Sequence, residues 1–319
     1  MQRFLTQKYY ADKRKKTSTN TKALFALAWV SIFWGTTWIA AKEGVKNMPA
    51  LQMAGIRQFI AGLLFIIYFL VKKQSLPKGK QWIPVIMLSF LNFMLSNALS
   101  TSGIKYISSG LGSIIGAIFP LWLVIISIFS GKQLSRETIT GLLMGLGGIC
   151  IIFYDHLKDF INTDFTLGII LSVASTISWA IGTLYTKQQA IHYNPYFSLG
   201  FQMFISGTTL ILISYGTGNA VGLTDIPSTS WWAIGYLVIF GSVLTFAAYL
   251  YSLQNLPTAL ASVYAYINPI VAVILGAAIL GEKLSLFIAA GGAITIAGLY
   301  IVNNSLKKKN ILEPTESIS

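Results

Sequence analysis

The chain has 319 residues, of which 54% are hydrophobic and only 10% are charged, and its mean hydropathy is +0.66. Soluble domains carry about 25% charged residues, so this composition excludes an ordinary water-soluble protein. The net charge of +13 does not indicate nucleic-acid binding, because the basic residues lie before the first apolar segment, in short polar gaps and at the C-terminus. That distribution is typical of a membrane protein in contact with anionic lipid.

The apolar residues come in blocks of about 20, the length that a helix needs to cross a bilayer. Isolated strands would leave backbone hydrogen bonds open in lipid, so we predict an all-α polytopic membrane protein. Ten transmembrane helices are predicted, at about 22–41, 50–71, 81–102, 107–130, 136–154, 165–186, 194–215, 230–253, 257–280 and 285–303.

Charge predicts the orientation of these helices. With ten spans both termini lie on one side, and placing them in the cytoplasm collects most of the lysines and arginines there. We therefore expect basic and polar cytoplasmic tails at 1–21 and 304–319, both disordered, and an external linker at 155–164. The expected location is the cytoplasmic (inner) membrane of a bacterium.

Two stretches about 150 residues apart share one pattern: IFPLWLVIISIFSGKQLS at 118–135 and INPIVAVILGAAILGEKLS at 267–285. In each, a proline near the start of an apolar run is followed by a glycine, polar residues and Leu-Ser. The interval from Ile107 to Pro120 equals that from Leu256 to Pro269. The pattern indicates that the chain contains two copies of one unit.

The two units, 22–154 and 165–303, each hold five predicted helices. An odd number of helices makes the second copy enter the membrane from the other face, so the repeat has inverted topology. That architecture is typical of secondary transporters, in which two halves move about a site near the bilayer midplane. The alternative is a duplication that only builds a stable bundle.

Specific motifs extend this prediction. The motifs WGTTW (34–38) and MPALQMAGIRQFIAG (48–62), with the Pro…Gly-Glu-Lys-Leu…Gly…Gly phrase near the end, resemble the ten-span EamA-type branch of the drug/metabolite transporter superfamily. The resemblance implies transport of small metabolites, often export of amino acids, through a central cavity with alternating access. It also implies that spans 1, 3, 4, 6, 8 and 9 line the cavity. The first copy departs from the family pattern, because Lys132-Gln133 stands where a glutamate is usual and only Glu282 is present.

The inventory of reactive groups argues against an enzyme. All ten carboxylates lie in tails, loops or span ends, and His156 and His192 are isolated without metal-ligand spacing. We expect neither a cofactor nor a metal, and the expected partners are a small-molecule substrate and membrane lipid, with the protein as a monomer or homodimer. The alternatives are a non-transporting membrane scaffold or sensor and, less favoured, an integral-membrane transferase.

Polar and aromatic residues at helical spacing are the candidate substrate-binding groups. Each offers an apolar face or a hydrogen-bonding group suited to an uncharged or zwitterionic molecule. The candidates are Trp34, Trp38, Asn92, Trp179, Tyr185, Tyr264 and Asn268. For any single tryptophan an interfacial or packing role is an equal alternative, although Trp34 and Asn268 lie well inside their spans.

Arg57 is the ionisable side chain that lies clearly within a predicted span. It either binds a substrate carboxylate or satisfies carbonyls and lipid headgroups near the outer interface. Its position in the shallower third of the span favours the second interpretation. Without a carboxylate inside the membrane, we expect facilitated diffusion or weak proton coupling.

Gly35, Pro120 and Pro269 are the candidate hinge or gating residues. A mid-helix proline removes one backbone hydrogen bond, which weakens the helix at the same place in both halves. A static kink is the equal alternative.

Overall fold

The computed structural model describes residues 21–129, 135–155, 159–189, 194–256 and 264–312. Within these ranges the protein is all helical and contains no strand. The helices are α1 (Thr21–Gly44), α2 (Ala50–Val71), α3 (Gly79–Gly103), α4 (Ser109–Ala117 and Phe119–Phe129), α5 (Arg136–Asp155), α6 (Thr163–Gln189), α7 (Pro195–Gly216), α8 (Ser228–Asn255), α9 (Tyr264–Leu280) and α10 (Leu286–Leu312). A short 3₁₀ turn, Asp159–Ile161, precedes α6.

Length and composition allow eight helices of the described ranges, α1 to α8, to cross a membrane. The last two apolar helical stretches, Tyr264–Leu280 and Leu286–Val302, are shorter. Large apolar side chains point outward along the bundle: Leu143, Leu212 and Ile274 are 64%, 66% and 58% exposed. A lipid environment would cover this surface, so the all-helical membrane prediction is confirmed.

One prediction about the chain ends differs from the structure. Helix α10 continues to Leu312, whereas disorder was predicted from 304 onward. The sequence SLKKKNIL contains leucine and lysine, which are good helix formers and extend α10 beyond its apolar part. The Lys132-Gln133 departure and the interval 257–263 lie outside the described residues.

Most of the extensive helix contacts join an early helix to a late one. Helix α1 packs on α8 and α9, α2 on α7, α3 on α6, α4 on α9 and α5 on α10. Glycines bring α5 and α10 especially close together. A methyl group added at Gly148 would lie 2.5 Å from the carbonyl oxygen of Gly291, and one at Gly141 would lie 2.7 Å from that of Gly298. These backbones therefore touch directly.

Helices α3 and α8 each contain a π-helical stretch, at Ser89–Asn97 and Leu237–Val243, which the sequence analysis did not predict. Carbonyl oxygens within these stretches accept hydrogen bonds from other helices. Ser178 Oγ donates to the oxygen of Leu91 at 2.7 Å, and Trp34 Nε1 donates to that of Gly241 at 3.1 Å. Since π-helical turns are rare and frequently mark functional sites, both stretches direct attention to the space between them.

Candidate substrate cavity

A cavity of about 170 Å³ lies inside the bundle, lined by residues of α1, α2, α3, α4, α6, α8 and α9. The sequence-derived candidates that line it are Trp34, Trp38, Arg57, Trp179, Tyr264 and Asn268. The folding chain thus brings together residues that are up to 234 positions apart in sequence. Their role in substrate binding stays a prediction.

Five other candidates are not among the lining residues. Asn92 is buried against α6, where a methyl group at Gly182 would overlap its amide, and Tyr185 lies further along α6. Gly35 packs against α9, since a methyl group there would lie 2.6 Å from Val271 Cβ. Their roles in substrate binding or gating stay predictions.

The two candidate prolines lie in helices of different regularity. Helix α4 is interrupted at Ile118, directly before Phe119 and Pro120, whereas α9 runs continuously through Pro269. An interruption beside the proline is thus seen in the first half, whereas in the second half the helix is continuous. A gating role for Gly35, Pro120 or Pro269 stays a prediction.

A cluster of aromatic rings surrounds Trp34. The Trp34 ring centroid lies 5.0 Å from those of Tyr249 and Tyr264, 5.1 Å from that of Phe246 and 6.4 Å from that of Trp179. Tilted and edge-to-face ring pairs at these separations stabilise a cluster by about 0.5–1.5 kcal/mol each beyond area burial. The five rings form a compact aromatic cluster at one end of the cavity.

The cavity and the aromatic cluster lie at different depths. We call the end of the bundle with the α1–α2 and α3–α4 turns the turn face, and the opposite end, where α1 begins, the terminal face. Ala41 and Ile104, at the turn-face ends of α1 and α3, line the cavity. Tyr249, near the end of α8, and Tyr264, the first residue of α9, lie toward the terminal face. The aromatic cluster therefore separates the cavity from the terminal face.

Arg57 enters the cavity wall from α2. Its side chain is only 7% exposed, and its Nε donates a hydrogen bond to Ser242 Oγ at 2.9 Å. This burial argues against the lipid-headgroup part of the favoured interpretation, while a purely structural role for the guanidinium stays a prediction. No carboxylate of the described residues forms a salt bridge with Arg57.

The remaining polar lining includes one unsatisfied acceptor. Asn268 Oδ1 is buried and has no hydrogen-bond partner within the described ranges. Sequence reasoning overlooked Thr176 and Phe246, which also line the cavity. Thr176 precedes Trp179 by three residues and was detectable as a member of the same helix face. Phe246 had no such signal, because an apolar residue in an apolar span can equally well face lipid, and the preceding π-helical stretch alters the spacing of faces.

A glutamate connects two turns at the turn face. Glu282, between α9 and α10, accepts hydrogen bonds from Ser109 N at 2.6 Å, Ser109 Oγ at 2.7 Å and Gly110 N at 3.2 Å. An anion at a helix N-terminus satisfies open N–H groups and interacts favourably with the helix dipole. Gly281 has a φ of +65°, which lets the chain turn immediately before the glutamate. This contact fixes the start of α4 to the α9–α10 turn.

Lys42 closes the same face beside the cavity. Its ammonium donates to the carbonyl oxygens of Ile107 at 2.7 Å, Ile104 at 2.8 Å and Lys105 at 3.1 Å. All three donors of the ammonium are thereby used. The lysine joins the end of α1 to the α3–α4 turn and is not among the lining residues.

In the part of the chain that the structure describes, an all-helical bundle with eight membrane-capable helices encloses a polar and aromatic cavity, as in an integral membrane protein. Residues 21–154 and 166–304 match the EamA-like transporter family, and the chain belongs to that family. The resemblance predicted from the motifs is thus confirmed.

Named relatives agree with the family. YedA, an uncharacterized inner membrane transporter of Escherichia coli strain K12, is 32% identical over 270 residues, which cover 82% of this chain and 83% of YedA. YvbV, an uncharacterized transporter of Bacillus subtilis strain 168, is 27% identical over 295 residues, 92% of this chain and 95% of YvbV. A protein crystal structure that is 16% identical superposes with a TM-score of 0.64 over 89% of this chain and 98% of its own, which supports the fold.

Proposed function

We propose that the protein is a secondary transporter that exports small polar metabolites, such as amino acids or related compounds, by alternating access. The cavity is the observation that carries this proposal. It combines polar groups from several helices with an aromatic wall, and it lies within a bundle whose outer surface is apolar. Binding sites for small molecules have this composition.

The size of the cavity fits a small substrate. A cavity of about 150 Å³ in a well-studied protein binds benzene, so the 170 Å³ found here accommodates a molecule of roughly six to ten heavy atoms. Small amino acids lie in that range. The aromatic rings provide contact for an apolar body, while Asn268 and the serines provide hydrogen bonds.

Alternating access is supported by the arrangement of the helices. The family matches the chain twice, and helices of one half pack mainly on helices of the other. Ten spans in two inverted five-helix units would relate these halves by a pseudo-two-fold axis in the membrane plane. With both termini in the cytoplasm of a bacterial cell, the turn face is external and the aromatic cluster closes the inner route.

The experiment is transport by the purified full chain in liposomes. We expect uptake or release of at least one member of a panel of amino acids and nucleobases, above that of empty vesicles. Trp34→Ala removes the centre of the aromatic cluster and Asn268→Ala removes the buried amide, so each should reduce the transport rate about tenfold or more.

Trp232→Ala is the matched control, because Trp232 is 81% exposed on α8 and lies outside the cavity. It should transport at the wild-type rate. Absence of transport of every panel member by the wild-type protein contradicts the proposed function. Equal rates for Trp34→Ala, Asn268→Ala and Trp232→Ala contradict the assignment of the cavity as the transport site.

A further inference from the structure

Arg57 provides a positive charge inside the cavity that the described residues do not neutralise. A guanidinium remains protonated in proteins, so its charge cannot be removed by deprotonation. An isolated buried charge costs several kcal/mol, and such residues in membrane spans usually face a partner or a water-filled cavity. Within the described ranges, the side chain of Arg57 donates its hydrogen bond to the neutral hydroxyl of Ser242.

Lys42 shows what a structural cation looks like in the same protein. Its ammonium donates to three backbone carbonyls at a junction of two turns. Arg57 joins α2 to α8 through one hydrogen bond from Nε, and the rest of its guanidinium forms part of the cavity wall. The two cations are therefore used differently.

The π-helical stretch of α8 positions the guanidinium beside the aromatic cluster. Ser242 Oγ accepts from Arg57 Nε, and the preceding residue, Gly241, accepts from Trp34 Nε1 at 3.1 Å. A methyl group at Gly241 would lie 3.1 Å from Arg57 Nη2, so the absence of a side chain there makes room for the charged group. Two consecutive residues thus hold the arginine and the indole close together.

This geometry leaves the terminal Nη1 and Nη2 atoms for a ligand. Because Nε is already engaged, the outer edge of the guanidinium presents two parallel N–H donors. That edge matches the two oxygens of a carboxylate in a bidentate, charge-assisted pair.

We propose that Arg57 binds the carboxylate of the substrate, so that the cavity selects small monocarboxylates over cations and over neutral amides. The body of the substrate then lies against Trp34 and Tyr264. An amine, where one is present, donates a hydrogen bond to Asn268 Oδ1. This assignment deepens the proposed transport function and rests on it.

The test measures binding separately from transport, by the intrinsic tryptophan fluorescence of the purified full chain. The probes are L-alanine and L-leucine, each compared with its amide and with its des-amino acid (propanoate and 4-methylpentanoate). We expect at least one carboxylate to bind, and its amide to bind about tenfold or more weakly, since the amide lacks the charge. This comparison uses the wild-type protein and does not depend on the folding of a variant.

Arg57→Gln should weaken binding of the same carboxylate about tenfold or more, and Arg57→Lys should lie between that variant and the wild type. The matched control is Lys105→Gln, which removes the same charge from an exposed side chain outside the cavity. It should bind like the wild type. A des-amino acid that binds as well as its amino acid supports the carboxylate as the main determinant, and weaker binding supports an added contact to the amine.

Three results overturn the assignment: no carboxylate binds, amides bind as well as carboxylates, or Arg57→Gln binds carboxylates as the wild type does. Transport of neutral or cationic panel members by both the wild type and Arg57→Gln would leave the transporter proposal intact and remove the role of Arg57. Carboxylate binding that depends on Arg57 in a protein that transports nothing would contradict the transporter proposal instead.

Discussion

The α5–α10 interface and the cavity wall represent two ways of joining helices in this protein. At Gly148 and Gly291 the backbones of α5 and α10 are in direct contact, and no side chain separates them. Around Trp34 the helices are separated by large rings, and the space beyond the rings is the cavity. At the first interface the two backbones cannot come closer to each other. The second contains the cavity and the unsatisfied Asn268 Oδ1. The difference is consistent with α5 and α10 as a fixed support and with the proposed ligand site among α1, α8 and α9.

The largest predicted effect concerns the fixed support. Gly148→Ala places a methyl group 2.5 Å from the carbonyl oxygen of Gly291, so α5 and α10 must separate. Overpacking of this kind costs about 1–3 kcal/mol, and we expect a lower unfolding temperature and a lower yield of monodisperse protein. Gly147→Ala is the control, because an added methyl group there meets nothing within 4 Å. Equal unfolding temperatures for the two variants would show that the interface is looser than described.

A smaller loss of stability is expected at the turn face, where Glu282 joins the α9–α10 turn to the start of α4. Glu282→Gln removes the negative charge that accepts from Ser109 and Gly110 at the start of α4. Charge at a helix N-terminus contributes about 0.3–1 kcal/mol, so the unfolding temperature should fall slightly. Glu43→Gln is the same substitution in an exposed ion pair with Lys46 and should change less. A larger loss for Glu43→Gln would argue against the capping role.

The smallest effect is predicted in the cavity wall itself. Ser242→Ala removes the acceptor of Arg57 Nε but keeps the arginine and its charge. Carboxylate binding, measured by tryptophan fluorescence, should weaken only about twofold, because the charge stays and only the acceptor that orients Nε is lost. Ser252→Ala is a control on the same helix, since Ser252 bonds to backbone carbonyls of Ala23 and Ala248 away from the cavity. If both variants bind alike, Ser242 does not position the guanidinium.

Sequence reasoning located the helices and part of the cavity because both depend on local patterns. Continuous apolar blocks fix helices such as α2, predicted at 50–71 and found at Ala50–Val71. Trp34 and Asn268 were identified because polar or amphipathic residues deep in a span are costly unless they face the interior. Such positions can be recognised from the spacing of residues along one helix, without knowing which other helices pack against it.

The parts that were missed depend on contacts between distant segments. The burial of Arg57 follows from Ser242, which is 185 residues away in sequence, and depth along α2 alone suggested the interface. The capping of α4 by Glu282 joins residues 173 positions apart. The interruption of α4 at Ile118 and the continuity of α9 at Pro269 show that the same residue type has different effects when its neighbours differ.

The π-helical stretch of α8 has a consequence for rotation. A π turn accommodates more residues than an α turn, and one residue corresponds to about 100° around the axis of an α-helix. The direction in which Phe246 and Tyr249 point toward Trp34 is thus set by the irregular turns at Leu237–Val243 that precede them. Conversion of that stretch to regular α-helix would turn both rings about the axis of α8 relative to the start of the helix. The irregular winding of α8 is therefore part of what holds Phe246 and Tyr249 against Trp34.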